Sequence, residues 1–238
     1  MKKKIYKAES RGKFRNEWLD TSYSFSFADY FDRNRMNFGA LRVLNDDIVQ
    51  PSQGFGKHPH DNMEIITIPL SGSLSHRDSM GHQQEIGVNE VQVMSAGTGI
   101  FHSEFNASPS IEVSLLQIWI YPNSRNIMPR YDQRFFAHEN AKNKWQELVS
   151  GNYTDVNTLY ISQNAFISRA YLTKNESISY NTSKSSLGSF IFIIEGAVEI
   201  ENEKLGRRDA ISLSEIDKFN IKAINDSLIL NIEVPEYK

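Results

Sequence analysis

The sequence contains no cysteine among its 238 residues. This absence excludes disulfides, thiolate zinc sites, iron–sulfur clusters and cysteine nucleophiles. Any bound metal must therefore take its ligands from histidine, aspartate, glutamate, the backbone or water. The remaining composition, with 39% hydrophobic and 11% aromatic residues, is that of an ordinary globular protein and argues against disorder.

Long apolar segments and an excess of charge of either sign are missing as well. No run approaches the roughly 18 to 20 apolar residues of a membrane helix, and the basic start lacks the apolar stretch of a secretory signal. Lys and Arg total 26 and Asp and Glu total 29, which gives a net charge of −3 and argues against a broadly basic, phosphate-binding surface. We therefore expect a cytoplasmic protein that binds neither nucleic acid nor membranes directly.

Short apolar runs separated by turn residues dominate the chain, as is typical of β-strands. The predicted strands cover residues 38–44, 64–70, 90–94, 112–121, 165–172, 190–195, 197–201, 210–213 and 228–234. One helix is predicted over 140–149 (NAKNKWQELV), where apolar residues follow helical spacing and Gly151 can act as a stop. Regularly spaced strands with few helices predict an all-β sandwich or barrel.

An internal repeat divides the chain into two similar halves. EIITIPLSGSL and GVNEVQVMSAG in the first half correspond to GSFIFIIEGAVEI and GRRDAISLSEI in the second. Gly72 aligns with Gly196 at an offset of 124 residues, and Asn89 aligns with Arg208 at an offset of 119. We predict two domains, residues 1–130 and 131–238, with the break in the region between about 122 and 153.

Histidines are concentrated in the first half. Five of the six lie between positions 58 and 102, namely His58, His60, His76, His82 and His102. In His58-Pro59-His60, residues two apart on a strand project from the same face, and a proline favours an edge strand. His102-Ser103-Glu104 repeats this arrangement with a carboxylate, so the two couples can offer three nitrogens and one oxygen to a single cation.

A single H-x-H couple is more often a pair of packed, hydrogen-bonded histidines than a metal site. Here the couples are separated by ordered glycines, at Gly72, Gly87 and Gly97-Thr98-Gly99, where tight turns are expected. The complete series favours a metal site. A donor set of imidazoles and one carboxylate suits Fe(II), Mn, Co, Ni, Cu or Zn, and the lack of thiolates makes a closed structural zinc site a poorer interpretation.

The segments KHPHDNMEIITIPLSGSLSHRDSMG and GVNEVQVMSAGTGIFHSEFN resemble the two cupin motifs of the pirin family. The resemblance covers most of the chain and is strongest over residues 38–131. It implies two tandem cupin barrels, which are double-stranded β-helices of the jelly-roll type, joined by a short helical connection. The first barrel would bind the metal, and the second would be a degenerate, metal-free cupin.

The resemblance also implies the identity of the metal ligands. They map onto His58, His60, His102 and Glu104. Glu64 matches a ligand of most cupins but not of the pirin pattern, which leaves it as an imidazole-orienting partner, a strand residue or a residue without a role. In the second half, the last two ligands align with Ile221 and Ala223, and no histidine follows His138.

The loop SHRDSMGH contains further residues that match the family pattern. Asp78 and Ser79 are predicted to stabilise a turn through hydrogen bonds. His76 could reach the barrel mouth, although this is the less favoured interpretation. His82 is predicted to be a solvated loop residue.

Similar members of the family are quercetin 2,3-dioxygenases, so the resemblance implies a metal-dependent oxygenase. Its cofactor would be one divalent transition metal, with Fe(II) as the first choice, and its partners a small aromatic substrate and O2. Glu104 would be the catalytic base. The alternative is an iron-dependent, redox-sensitive binding protein with a protein partner and little or no catalytic role. We expect a monomer.

Overall fold

The structure, a computed structural model, describes residues 1–183 and 187–236. Strands make up most of the described chain. The first twelve are β1 (Lys2–Tyr6), β2 (Gly12–Arg15), β3 (Leu19–Tyr23), β4 (Leu41–Val49), β5 (Gly54–His60), β6 (Glu64–Ser71), β7 (Ser73–Asp78), β8 (Gln83–Gly87), β9 (Glu90–Ser95), β10 (Ile100–Asn106), β11 (Val113–Ile120) and β12 (Arg130–Phe135). The others are β13 (Gln146–Ser150), β14 (Leu159–Tyr160), β15 (Phe166–Leu172), β16 (Ser177–Asn181), β17 (Leu187–Glu195), β18 (Ala197–Ile200), β19 (Glu203–Gly206), β20 (Ala210–Ser214), β21 (Lys218–Ala223) and β22 (Ser227–Pro235). Two short 3-10 helices span Ala8–Ser10 and His138–Ala141.

The described strands form two barrels of the same design. In the first, a seven-stranded sheet of order β12-β9-β6-β11-β4-β3-β2 faces a four-stranded sheet of order β5-β10-β7-β8. In the second, a sheet of order β1-β20-β17-β22-β15-β13-β14 faces one of order β16-β21-β18-β19. The predicted all-β fold with two tandem cupin barrels is confirmed.

Strand pairing crosses the predicted domain boundary at residues 130 and 131. The first strand, β1, pairs with β20 of the second barrel, and β12 pairs with β9 of the first barrel. Each strand completes the edge of a seven-stranded sheet at the same place in the repeat. The division into 1–130 and 131–238 stays a prediction, and the two barrels exchange an edge strand across it.

The internal repeat is visible in the backbone of two turns. Gly72 and Gly196 follow β6 and β17, and both have a positive φ, of 69° and 85°. Asn89 and Arg208 precede β9 and β20 with φ of 68° and 67°. The left-handed conformation favours glycine or asparagine. At Arg208, the guanidinium donates a hydrogen bond of 2.9 Å to Asp46 of the first barrel, which helps to hold a residue type that seldom adopts this conformation.

The two seven-stranded sheets pack face to face and share one hydrophobic core. It takes Ile66 and Ile118 from the first barrel and Phe190 and Ile232 from the second. The second barrel encloses one large apolar cluster, with the buried side chains of Asn231 and Glu233 beside it on β22. The first barrel encloses two small apolar clusters, which polar side chains separate along the strands. This polar layer is where a site can form.

The predicted helix over 140–149 is wrong. The helical connection is only the 3-10 turn His138–Ala141, and Gln146–Ser150 forms β13, which pairs with β15 and β14. Leu148 and Val149 are both fully buried in the core between the barrels. Tertiary packing overrides the local periodicity here because a short apolar run satisfies helical and strand spacing equally well.

Phe190 on β17 of the second barrel packs against aromatic side chains from the amino-terminal part of the chain. It is fully buried, and its ring centroid lies 5.1 Å from that of Tyr6 and 5.4 Å from that of Phe25. We expect Phe190→Ala to lower the free energy of unfolding by about 3–5 kcal/mol, because it leaves a cavity in a close-packed core. Denaturant unfolding followed by circular dichroism measures the effect. As the control, Phe135→Ala removes a ring that is 61% exposed and should change stability by less than about 0.5 kcal/mol; equal effects would contradict the shared core.

Candidate metal centre

Three imidazoles converge between β5 and β10. His58 lies directly across the ladder from His102, and β5 is the edge strand of its sheet, as the proline in the H-x-H couple predicts. The two Nε2 atoms are 2.9 Å apart, and the ring of His60 lies 4.8 Å from each of the other two rings. The pairing register shifts beside His102, and such an irregularity can redirect a side chain relative to the regular pleat.

A hydrogen bond orients the ring of His58, and burial keeps His60 and His102 neutral. Nδ1 of His58 lies 2.7 Å from the carbonyl oxygen of Gly56, so Nδ1–H donates and the Nε2 lone pair is free. Burial lowers the pKa of His60 to about 3, and the neighbouring histidines act in the same direction. Burial and the neighbouring histidines likewise lower the pKa of His102 to about 3. Neutral imidazole is the form that binds metals.

Glu104 places a carboxylate beside the imidazoles with little compensation for its charge. It is 4% exposed, and the amide of Gln117 donates to it at 3.2 and 3.3 Å. The hydroxyl of Thr67 lies 3.4 Å from the same carboxylate. Burial raises the pKa of Glu104, and no salt bridge to it is found among the described residues. A buried carboxylate without a partner cation is costly, so a cation bound beside it would be stabilised.

The donor groups fit a transition-metal ion. The described chain contains two groups of three potential ligands, and within each group the ligating atoms lie within 4.8 Å of one another. One group is His58, His60 and His102, and the other is His76, His102 and Glu104. The 2.9 Å between two Nε2 atoms matches adjacent ligands of one ion, which are about 3 Å apart when metal–nitrogen bonds are about 2.1 Å. His102 belongs to both groups and therefore occupies the centre of the arrangement.

His76 belongs to the second group of ligating atoms, at the place that the sequence interpretation considered less favoured for it. It is fully buried, lies across the ladder from Glu104, and its ring is 5.4 Å from that of His102. The amide of Gln92 donates to its Nδ1 at 3.1 Å, so the proton of the neutral ring is on Nε2. In this tautomer His76 is a hydrogen-bond donor in the site. The alternation of Leu74, His76 and Asp78 in β7 is the signal that could have placed it inside the barrel.

A row of polar side chains crosses the seven-stranded sheet behind the site. Gln117 pairs with Thr67 on the neighbouring strand, and Thr67 pairs with Gln92 on the next. The first two contact Glu104, and the third contacts His76. Each is a polar residue inside an otherwise apolar strand (SLLQIWI, EIITIPL and EVQVM). That isolation is a sequence signal, because a buried polar side chain needs a partner.

Glu64 lies on the other face of its strand. It shares a face with Ile66, which packs between the barrels, and its carboxylate accepts a hydrogen bond of 2.7 Å from Ser95. Arg130 donates to the same hydroxyl at 3.2 Å and also to the carbonyl oxygen of Tyr160 in the second barrel. Glu64 therefore contributes to the contact between barrels. The expectation that Glu64 orients an imidazole is therefore not met, because its carboxylate bonds to Ser95 on the face away from the histidines.

Asp78 and Ser79 form the hydrogen bonds expected of turn residues. The Oδ1 atom of Asp78 accepts from the backbone N–H groups of Met80 and His82 at 2.9 and 3.0 Å. The hydroxyl of Ser79 accepts from the backbone N–H of Phe101 at 3.1 Å. The His82 side chain is 38% exposed and its Nδ1 lies 2.8 Å from Asp78, so it is partly solvated and held by the turn.

A cavity of about 210 Å³ lies beside the histidines. Its lining includes strands from both sheets of the first barrel. Apolar and aromatic side chains make up part of the wall, and histidine, carboxylate and amide groups make up the rest. The lining residues are Leu19, Thr21, Tyr23, Phe27, Asn45, Asp47, Phe55, His58, His60, Ile65, His102, Glu104, Gln117 and Trp119. An apolar cavity with a few convergent polar groups is typical of a small-molecule site.

The second barrel carries apolar side chains at the corresponding positions. Ile221 and Ala223 on β21 are both fully buried. In the repeat, β21 occupies the place of β10, which carries His102 and Glu104. None of the metal-ligating groups found in the described residues lies in this barrel.

Comparisons with known proteins agree with this architecture. The Pirin family model matches residues 5–120, and the model described as "Quercetinase C-terminal cupin domain" matches residues 148–234. The chain is 40% identical over 231 residues to the protein named "Quercetin 2,3-dioxygenase" of Escherichia coli (strain K12), which covers 97% of this chain and 98% of the relative. It is 36% identical over 216 residues to the "Pirin-like protein" of Caulobacter vibrioides, covering 91% and 92% of the two chains.

A solved structure shows the same fold over the whole length. The bacterial pirin YhhW from Escherichia coli, in complex with nickel(II), matches with a TM-score of 0.93 and 38% identity, covering 99% of this chain and 100% of that one. None of the helices in the described part of the chain has the length and apolar character needed to cross a bilayer. The chain belongs to the pirin family.

Proposed function

We propose that this pirin-family protein is a metal-dependent dioxygenase that acts on flavonol-type phenols. The observation that supports the proposal is the convergence of three imidazoles and one buried carboxylate on the wall of a largely apolar cavity. The proposed metal ligands are His58, His60, His102 and Glu104. The names of the relatives support the substrate class, since fold alone would not.

The histidines bind and orient the metal. A divalent transition metal, with Fe(II) as the first choice, would supply Lewis acidity toward a substrate hydroxyl and electron exchange with O2. The hydrogen bond from His58 to Gly56 fixes the ring so that Nε2 faces His102. The low pKa values of His60 and His102 keep both rings uncharged at neutral pH, with one ring nitrogen of each available to a metal.

Glu104 is the proposed general base. Burial raises the pKa of its carboxyl group, which makes the carboxylate a stronger proton acceptor than an exposed glutamate. A phenolic hydroxyl bound beside it would transfer its proton to a carboxylate oxygen. The amide of Gln117 donates to both oxygens, so it holds the carboxylate in position before and after the transfer.

The cavity wall supplies the fit to a planar aromatic molecule. Phe27 and Phe55 line it, and Trp119 packs edge-on against His60 with 4.8 Å between ring centroids. Apolar walls exclude water and position a flat ring through contact area, which raises the effective concentration of substrate at the histidines. We also propose that the second barrel has a structural role, because its seven-stranded sheet packs against the back of the site.

Oxygen consumption tests the proposed function. Purified protein loaded separately with Fe(II), Ni(II) or Zn(II) is mixed with quercetin and with a panel of simpler phenols in an oxygen electrode. We expect O2 uptake matched by loss of the flavonol absorbance, and loss of both signals in His58→Ala. His138→Ala, a histidine of the inter-barrel region, is the control. Retained metal without consumption of any phenol would overturn the oxygenase and favour the redox-sensitive binding protein.

A further inference from the structure

The cavity has a second polar region, on the sheet that faces the histidines. Asn45 and Asp47 lie two residues apart on β4, so their side chains share the interior face of the seven-stranded sheet. They are 4% exposed each. Asp47 pairs with Thr21 on β3, and Asn45 pairs with Gln117 on β11. The pair thus lies in the sheet opposite β5, which carries His58 and His60.

The Asn45 side chain has hydrogen-bonding capacity that the described protein does not use. Oδ1 of Asn45 is buried without a hydrogen-bond partner in the described chain. Asp47 has no ion pair there either, whereas its neighbour Asp46 points to the other face and binds Arg11 and Arg208. The Asp47 carboxylate has a hydrogen bond with Thr21, and a carboxylate can accept several more. Buried polar groups normally have partners, so the Asn45 oxygen without one, beside this carboxylate in the wall of a cavity, indicates a ligand.

The raised pKa of Asp47 is consistent with a carboxyl group that can accept a further hydrogen bond. Burial raises its pKa to about 7, and the carboxylates of Asp46 and Glu104 act in the same direction. The hydrogen bond with Thr21 opposes this rise in pKa only in part. A ligand hydroxyl donating to the carboxylate would stabilise the ionised form.

The size of the cavity limits what can bind. A cavity of roughly 150 Å³ accommodates benzene, so about 210 Å³ accommodates one aromatic ring with small polar substituents. The lining contributes Phe55 and Leu19 as apolar contacts. The ligand group that matches is a hydroxylated aromatic ring whose hydroxyls point to β4.

We propose that Asp47 and Asn45 form a hydroxyl-binding subsite that selects phenols whose second ring, the ring away from the metal, carries hydroxyl groups. This inference rests on the proposed function for the orientation of the substrate. A site built to bind hydroxyls rejects an analogue without them, because its buried acceptors are then left without partners. The subsite thus determines specificity and does not take part in the chemical step.

Binding without turnover tests the subsite. Metal-loaded protein is titrated in the absence of oxygen with quercetin and with galangin, the flavonol that lacks both hydroxyls on its pendant ring, and tryptophan fluorescence reports binding. We expect the wild type to prefer quercetin by about tenfold or more. Asp47→Asn and Asn45→Leu should each weaken quercetin binding several-fold and change galangin binding by less than about twofold. The control is Asp20→Asn, the same substitution on the outer, half-exposed face of β3.

The outcomes separate the subsite from the reaction. If both subsite variants keep the wild-type preference, or weaken both flavonols equally, the subsite is wrong. Asn45→Leu gives the answer should Asp47→Asn not fold. A protein that discriminates between the two flavonols but never consumes quercetin in air would end the proposed dioxygenase and leave the subsite in place. If the protein consumes quercetin in air but both variants keep the wild-type preference for quercetin over galangin, the dioxygenase stands and the subsite is wrong.

Discussion

Replacing His102 by alanine is expected to remove nearly all bound metal, from about one ion per chain to less than about one-tenth after dialysis. His102 is the member common to both groups of ligating atoms and lies 2.9 Å from Nε2 of His58. Its loss leaves the two partly exposed histidines of an edge strand, His58 and His60, and removes the histidine that is grouped both with them and with Glu104. The three remaining ligands hold a labile ion poorly. Elemental analysis of protein reconstituted with Ni(II) or Fe(II) measures the change.

The matched control is His82→Ala, which removes a histidine of the same barrel that belongs to neither group. It should retain the metal. The far-UV spectrum of His102→Ala, and of the wild type treated with EDTA, should stay that of the folded protein, because the apolar cores lie away from the site. Unchanged metal content in His102→Ala would exclude the proposed centre. Collapse of the spectrum on chelation would show that the metal is needed for folding.

Replacing Glu104 by glutamine is expected to lower turnover of the phenol by at least about 100-fold, since general-base catalysis contributes about 10² to 10⁴. The amide keeps the size of the side chain but loses the charge and the ability to accept a proton. Some metal should remain bound by the three histidines, so activity is compared per bound ion. The rate of O2 uptake against metal content checks the result.

Glu64→Gln provides the comparison, because Glu64 is equally buried but lies on the opposite face of the sheet. It should leave metal content and turnover within about threefold of wild type. It should also lower the free energy of unfolding by about 1–2 kcal/mol, since a charged hydrogen bond with Ser95 near Arg130 is weakened. The reverse pattern, with Glu64→Gln losing metal and Glu104→Gln retaining activity, would return Glu64 to the role it has in most cupins.

Much of the fold was predictable from local patterns. All nine predicted strands exist within a few residues, because each is a β-branched or aromatic run bounded by turn residues. The prediction failed at 140–149, where a short apolar segment satisfies two periodicities and the core between the barrels selects the strand. The strands β5 and β10 contain few apolar residues, yet their histidine couples indicated strands through a shared face.

Parts of the site could not be predicted, for an identifiable reason. The strand that contains Glu64 and Thr67 is buried on both faces, by the barrel interior on one side and the second barrel on the other. Such a strand is apolar throughout and loses the alternation that reveals its inner face. The sequence therefore could not show that Thr67 contacts Glu104 whereas Glu64 points away. His76 was left out of the predicted ligand set, because its neighbour Glu104 lies 28 positions along the chain and is brought beside it only by strand pairing.

The sequence alone determined which chemistry is available: with no thiol in the chain, two couples of residues spaced for one face of a strand can offer only imidazole and carboxylate to a cation. The tertiary structure decided which of the buried acids reaches that point. It also decided that one histidine belongs to both ligand groups, and that Asn45 on the opposite wall has a buried oxygen without a partner. These features depend on strand register and on the packing of one barrel against the other. Contacts between segments that are distant in the chain produce no periodic pattern of residues from which they could be predicted.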